Sequence, residues 1–159
     1  MDSPLNFFYN LLMQMVFHFR VRVLVCHNGN VLVARAKNKN HVSLPGGHVE
    51  TGESTVAALR REMTEECGRK IENEHYLGAI EQSWVEGNVR QQEIVHYFFA
   101  EIPDLAANPN VVSTEDNLEF FWVTPEEFEK VNFLPMPLRG LIAAYLKGDT
   151  QTWWVSNME

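Results

Sequence analysis

Within "VETGESTVAALRREMTEE" the chain places Glu50, Glu53, Glu62, Glu65 and Glu66. Carboxylates at this density suit two kinds of chemistry: holding a divalent cation through hard oxygen ligands, and taking a proton from a water. On a helix at 100° per residue, with Glu62 at zero, Glu66 falls at about +40° and Glu65 at about −60°. The three side chains therefore share one arc. Val56, Leu59, Met63 and Cys67 fall between about +60° and +140°, an apolar stripe that would seat the helix in the core beside that arc.

The arrangement has a cost. Glu62 opposes Glu66 at i,i+4 and Glu65 at i,i+3, each unfavourable by a few tenths of a kcal/mol, and Glu65 and Glu66 stand at the helix end that prefers cations. A bound divalent cation answers both objections; a solvated acidic face is the alternative. The preceding loop favours the cation. Pro45-Gly46-Gly47 permits a sharp turn that can present a main-chain carbonyl, Gly52 permits a second turn, and Glu53-Ser54 opens the helix at the end that favours an acid and a capping hydroxyl.

Gly47, five residues, Glu53, seven residues, Arg61-Glu62, the apolar Met63, one residue, Glu65-Glu66, one residue and Gly68: this spacing resembles the box of the Nudix hydrolases. Seven fixed positions at background frequencies of roughly 6% give a chance match on the order of 10⁻⁹ per start point. Coincidence is therefore a poor account. Arg69 stands where that family has a bulky apolar residue, and Ile71 is expected to take over its packing.

The resemblance implies hydrolysis of a diphosphate linkage in a nucleoside diphosphate joined to another group, with Mg²⁺ or Mn²⁺ as cofactor. It implies Glu62, Glu65, Glu66 and the Gly46 carbonyl as metal ligands and Glu62 as a candidate base. Arg61 would orient the carboxylates, and Glu53 would pin loop to helix. A downstream loop acid is the other candidate base or ligand: Glu115 first, with Glu93 and Glu119 behind it. Asp116 or Glu115, ahead of Trp122, would read a base if the substrate is a purine triphosphate. Arg20, Arg22 and Arg35 are candidates for phosphate contacts, with surface ion pairs as the alternative. Trp84, Phe98 and Trp122 suit base stacking or the core, and His96 suits a hydrogen-bonded core or rim position.

These residues need a scaffold, and the pattern supplies one. Phe17, Phe19, Val21, Val23 and Val25 alternate with polar residues, Asn28-Gly29 suits a hairpin turn, and "VLVARA" returns. "YLGAIEQSWVE" and "VRQQEIVHYFFAEI" form a further hairpin about Gly87-Asn88. "LEFFWV" reads as a strand, Thr124-Pro125 as a helix start and "PLRGLIAAYLKG" as a closing helix ended by Gly148. The expected fold is α/β with a mixed, largely hairpin-built sheet, which the resemblance specifies as an α/β/α sandwich. Residues 16–159 form one domain behind an apolar extension at 1–15. Leu5 to Met15 would pack on the core or on a second subunit of a homodimer, and Trp153-Trp154 would dock on the domain or a partner chain.

Composition bounds the rest. The 159 residues, 45% hydrophobic and 21% charged, suit one soluble domain. A net charge of −8 disfavours a nucleic-acid polymer as partner, while a bound metal would still admit a small anionic nucleotide. Two cysteines make no zinc spacing or disulfide framework, so the cytoplasm is the expected setting. The N-terminal apolar run lacks a basic leader region and is too short and polar to cross a bilayer. A (d)NTP, plain or modified, is the expected substrate, with an ADP-ribose-type nucleotide sugar as alternative. A non-catalytic nucleotide sensor would be expected to lack box carboxylates, and here all four remain.

Overall fold

Strand alternation decides what faces what. In the computed structural model, which describes residues 14–158, β1 (Gln14–Leu24) sends Val21 and Val23 into one apolar cluster, and Leu24 into another. The first cluster lies under α1 (Thr55–Cys67), with Ala58, Leu59, Met63, Cys67, Phe98 and Ala100. The second joins Val33, Val95, Tyr97 and Trp153 to Leu138 and Ile142 of α2 (Met136–Leu146). Two helical layers thus enclose the strands, the expected α/β/α sandwich. Each fully buried Leu, Ile or Met contributes about 1.5–3 kcal/mol of transfer free energy.

The strands divide between two sheets. One has the order β1, β5 (Val89–Glu101), β4 (Glu72–Glu86), β7 (Trp153–Ser156), with β1 parallel to β5 and β7 parallel to β4. The other has the order β2 (Cys26–His27), β3 (Asn30–Ala36), β6 (Leu118–Val123), all antiparallel. The chain changes sheet at Val25. The expected first hairpin is therefore short: Asn28 and Gly29 turn with positive φ, but only Cys26–Val31 and His27–Asn30 pair. The β4–β5 hairpin about Gly87-Asn88 forms as expected, in register from Glu86–Val89 back to Gly78–Tyr97.

One further reading is corrected. Thr124-Pro125 opens only a 3-10 turn at Pro125–Glu127, where the Thr124 N–H donates to the Glu127 carboxylate at 3.0 Å. Trp153 docks by forming β7, a strand too short to announce itself by periodicity. It packs against Tyr97 and Tyr145, while Trp154 is exposed. Gly78 makes that pairing achievable: its φ is +146°, and a Cβ there would strike the Trp153 backbone. Gln14 and Met15, expected in an N-terminal packing element, belong to β1. The rest of that segment lies outside the described residues, among which no helix is long and apolar enough to cross a membrane.

Candidate active site

The loop before α1 is fastened along β1. The Val21 and Val23 amides donate to the Gly47 and Pro45 carbonyls, and Val49 N–H donates to Phe19, each at 2.9 Å. Gly46 has φ +126°, and a Cβ there would strike the Val21 carbonyl. At Gly47 a Cβ would land on the carboxylate of Glu62. The glycine pair is therefore what lets the loop lie against both strand and acidic helix. Ser54 caps α1, its hydroxyl accepting from Ala57 N–H at 3.1 Å, a contact worth about 1 kcal/mol. Gly68 ends the helix in the left-handed conformation.

Arg61 knits one side of the acidic arc. Its guanidinium donates to Glu53 Oε1 at 2.7 Å and Oε2 at 3.2 Å, to Glu62 Oε1 at 2.9 Å, to Glu65 Oε2 at 3.1 Å and to the His48 carbonyl at 3.0 Å. Glu53 also accepts from the Glu50 amide at 2.8 Å, tying loop to helix. The hydrogen bond to Glu53, with those to Glu62 and Glu65, holds the Arg61 guanidinium well above its usual range; reciprocally, Arg61 lowers Glu53. Arg61 thus contacts three of the carboxylates, and Glu53 joins the loop to the helix.

Glu66 is different. Its Oε2 is buried without a hydrogen-bond partner. Burial pushes this carboxyl up to about 7; the charges of Glu62 and Glu115 add to the shift, while Arg22 and a backbone hydrogen bond at Gly46 oppose it. The 113–115 loop closes on the same helix end: Thr114 N–H donates to the Glu66 carbonyl at 2.8 Å, and the Thr114 hydroxyl donates to the Glu65 carbonyl. Glu115 is therefore brought to the acidic helix by a segment far away in sequence.

The expected gathering of three carboxylates is only partly made. Among the described residues no three His, Cys, Asp or Glu side chains form a metal-holding group by themselves, because Glu62 and Glu65 turn to Arg61. The Gly46 carbonyl accepts from Arg22 Nη1 at 2.5 Å, and the same nitrogen reaches the Leu44 carbonyl at 3.0 Å. The donor set still fits a hard cation of the Mg²⁺ type. It is all oxygen, holds one orphaned buried carboxylate oxygen, and is incomplete in the way that leaves room for water and phosphate.

Arg22 also lines a cleft of about 710 Å³ on the sheet that contains β1, β5 and β4, with Arg20, Lys39, His41, Trp84 and Glu93 among its walls. Arg20 is ion-paired with Glu93 at 3.0 Å and donates to His48 Nε2 at 3.2 Å. Arg35 lies outside this cleft wall, on β3, paired with Glu119 at 2.5 Å and set over the Phe121 ring. That ion pair removes Glu119 from the set of unengaged acids. Asp116 is exposed on the loop before β6. Trp122 donates its indole N–H to the Pro109 carbonyl, and Phe98 is buried. Trp84, 38% exposed, is the aromatic left facing the cleft. His96 bonds the Tyr76 hydroxyl at 3.0 Å, a rim position as expected.

Arg69, the departure from the box, is buried and binds Asp104 at 2.7 Å and the carbonyls of Asn108 and Asn110 at 2.8 and 2.9 Å. Ile71 fills the apolar cluster under α1. Gln82, which hydrogen-bonds Glu93 in the cleft, was not singled out by its residue type. Counting back from the Gly87-Asn88 turn would have placed it opposite Glu93.

The NUDIX domain profile matches residues 16–144. A nucleoside triphosphatase NudI of an Enterobacter strain is 27% identical over 132 residues, 71% of this chain and 89% of that protein. The Salmonella arizonae NudI is 28% identical over 125 residues, 69% and 86% of the two chains. Among solved structures, a MutT protein of Bacillus halodurans superposes with TM-score 0.66 at 16% identity, covering 86% of each chain. A UDP-X diphosphatase gives 0.62 at 15% identity, over 97% of this chain and 76% of the other. At such identities the superpositions establish the fold. With the profile spanning most of the chain and Glu53, Glu62 and Glu65 of the box set around Arg61, the chain belongs to the Nudix family and is a Nudix hydrolase.

Proposed function

We propose that the chain is a pyrophosphohydrolase of nucleoside triphosphates, deoxy or modified forms included, dependent on Mg²⁺ with Mn²⁺ as substitute. The buried, unpartnered Oε2 of Glu66 carries this reading: it stands where an acidic helix end, the Gly46 backbone and the Glu115 loop come together. The name borne by the NudI relatives supports the triphosphate as substrate.

Glu62, Glu65, Glu66 and the Gly46 carbonyl would hold the metal, with Glu115 as the further oxygen donor. A metal held there would supply charge neutralisation on phosphate oxygens and acidify a bound water. Arg61 takes one oxygen each of Glu62 and Glu65 and fixes those side chains, leaving each a second oxygen. Glu62, wedged against Gly47, is the base that accepts the proton of the attacking water. Arg22, hydrogen-bonded to the Leu44 and Gly46 carbonyls and lining the cleft, would meet a phosphate entering from it.

Incubation of the protein with a panel of (d)NTPs and nucleotide sugars, with Mg²⁺ and in ¹⁸O-labelled water, tests the reading. The expected products are nucleoside monophosphate and pyrophosphate, with label on phosphorus alone. Label on a sugar carbon, or cleavage of nucleotide sugars in preference to triphosphates, would overturn it.

A further inference from the structure

Arginines set into a protein are normally paired, and around the box Arg20, Arg61 and Arg69 each lie against a carboxylate. Arg22, half-buried on β1, is the departure: among the described residues it forms no ion pair with an acid. Its Nη1 donates instead to two carbonyls, that of Leu44 at 3.0 Å and that of Gly46 at 2.5 Å. A guanidinium also donates from Nε and Nη2, and among the described residues neither of these has a hydrogen-bond partner. Because Arg22 lines the cleft, an anion entering there could take them up as charge-assisted donors.

Gly46 stands between opposite charges. Its carbonyl accepts from Arg22, and its N–H bonds the Glu66 carboxyl. Burial raises that carboxyl, and the largest influence acting against the rise is the positive charge of Arg22. Arg22 therefore holds part of the place of a cation: it donates to one proposed metal ligand, and its field reaches another. A cation entering there would share the Gly46 carbonyl with Arg22 and be repelled by its charge. An anion seated on Nε and Nη2 would cancel that charge from the cleft side, leaving the same ligands more favourable to a cation.

We infer that Arg22 is a positioning residue that couples the metal to the substrate. Seated on the Gly46 carbonyl, it opposes cation binding in the nucleotide-free protein; a phosphate that takes up its unspent donors removes the opposition. Metal and nucleotide then each tighten the other by the same factor, because coupling between two binding events is reciprocal. The protein takes up its cation together with the nucleotide rather than before it. This inference rests on the metal reading of the box above.

The test is calorimetric Mg²⁺ binding to wild type, Arg22→Gln, Arg22→Met and Arg22→Lys, first without nucleotide and then with the monophosphate of a triphosphate the protein cleaves. Without nucleotide the two neutral variants should bind Mg²⁺ roughly 10-fold tighter than wild type. The Lys variant keeps the charge and should stay within roughly threefold of wild type. The monophosphate should tighten Mg²⁺ binding to wild type by roughly 10-fold, and to the neutral variants by less than roughly threefold. Their kcat/KM should nonetheless fall by roughly 10-fold or more, for want of a donor to the phosphate. Tighter metal with slower turnover is not what a merely structural role produces, since a loosened loop would weaken both. Equal, weaker or absent Mg²⁺ binding in the neutral variants would overturn the inference. So would a monophosphate that leaves the Mg²⁺ affinity of wild type unchanged, a comparison that needs no variant to fold. If no triphosphate is cleaved, the functional reading fails instead, and the nucleotide-free titrations alone decide the role of Arg22.

Discussion

Arg61 and Glu66 divide the acidic face of α1 into two regions with opposite electrostatics. On one side Glu53, Glu62 and Glu65 share a single guanidinium, so that repulsion is offset within the protein. On the other, less than a turn away, Glu66 keeps a buried oxygen without a hydrogen bond. The Arg61 side is finished by folding, whereas the Glu66 side is left for something that folding does not supply. A helix can thus carry both the frame of a cation site and its unsatisfied ligand.

The comparison can be broken most severely at Glu62. Glu62→Gln should lower turnover by at least about 100-fold, with a smaller effect on substrate affinity, because it removes a ligand or base while ribose and base contacts lie elsewhere. Steady-state kinetics that separate kcat from KM check this; near-normal turnover with the metal still required would move the base to Glu115. Arg61→Lys tests the finished side. An ammonium cannot span Glu53, Glu62, Glu65 and the His48 carbonyl at once. A fall in kcat/KM of roughly 10-fold with a lower Tm is expected, since carboxylates held in one geometry are set loose. An unchanged kcat/KM would show that the fork does not set their geometry.

The smallest effect belongs to Glu65, whose side chain is 56% exposed. Glu65→Gln should leave the metal-free stability within about 0.5 kcal/mol of wild type, as for an exposed ion pair. Denaturant melts in EDTA measure it. A large loss would mean that the Arg61 network depends on this most exposed member.

Much of this contrast was legible beforehand, for identifiable reasons. Helical spacing put Glu62, Glu65 and Glu66 on one arc, and the family resemblance pointed to Arg61 and Glu53, which the structure ties to each other. Ile71 replaced the missing apolar residue because the helix exit keeps its apolar contact when Arg69 turns to the 104–110 loop. What stayed hidden depends on long-range pairing. The change of sheet at Val25, the parallel addition of β7 and the ion pair of Arg35 with Glu119 come from strands distant in sequence. No local period reports such partners. The difference between Glu65 and Glu66 was equally invisible: both were expected to behave alike, and the Arg61 tie of Glu65 together with the burial of Glu66 Oε2 separates them.

Glu66 therefore provides the direct test of the claim that this face is completed by a cation. Burial raises its folded-state carboxyl to about 7, above the ordinary value of 4.5. The folded protein then binds the proton more tightly than the unfolded chain, so stability falls as pH rises from about 4.5 to about 7 and levels off above. Thermal melts of wild type and Glu66→Gln should be compared in EDTA from pH 5 to 8, then in millimolar Mg²⁺. In EDTA the variant should be the more stable, by an amount growing with pH to the order of 1–3 kcal/mol. In Mg²⁺ the order should reverse, because a ligand that binds only the folded state stabilises the protein that binds it better. A variant that melts below wild type in EDTA at pH 8 would mean that protein contacts already satisfy Glu66, contradicting the account.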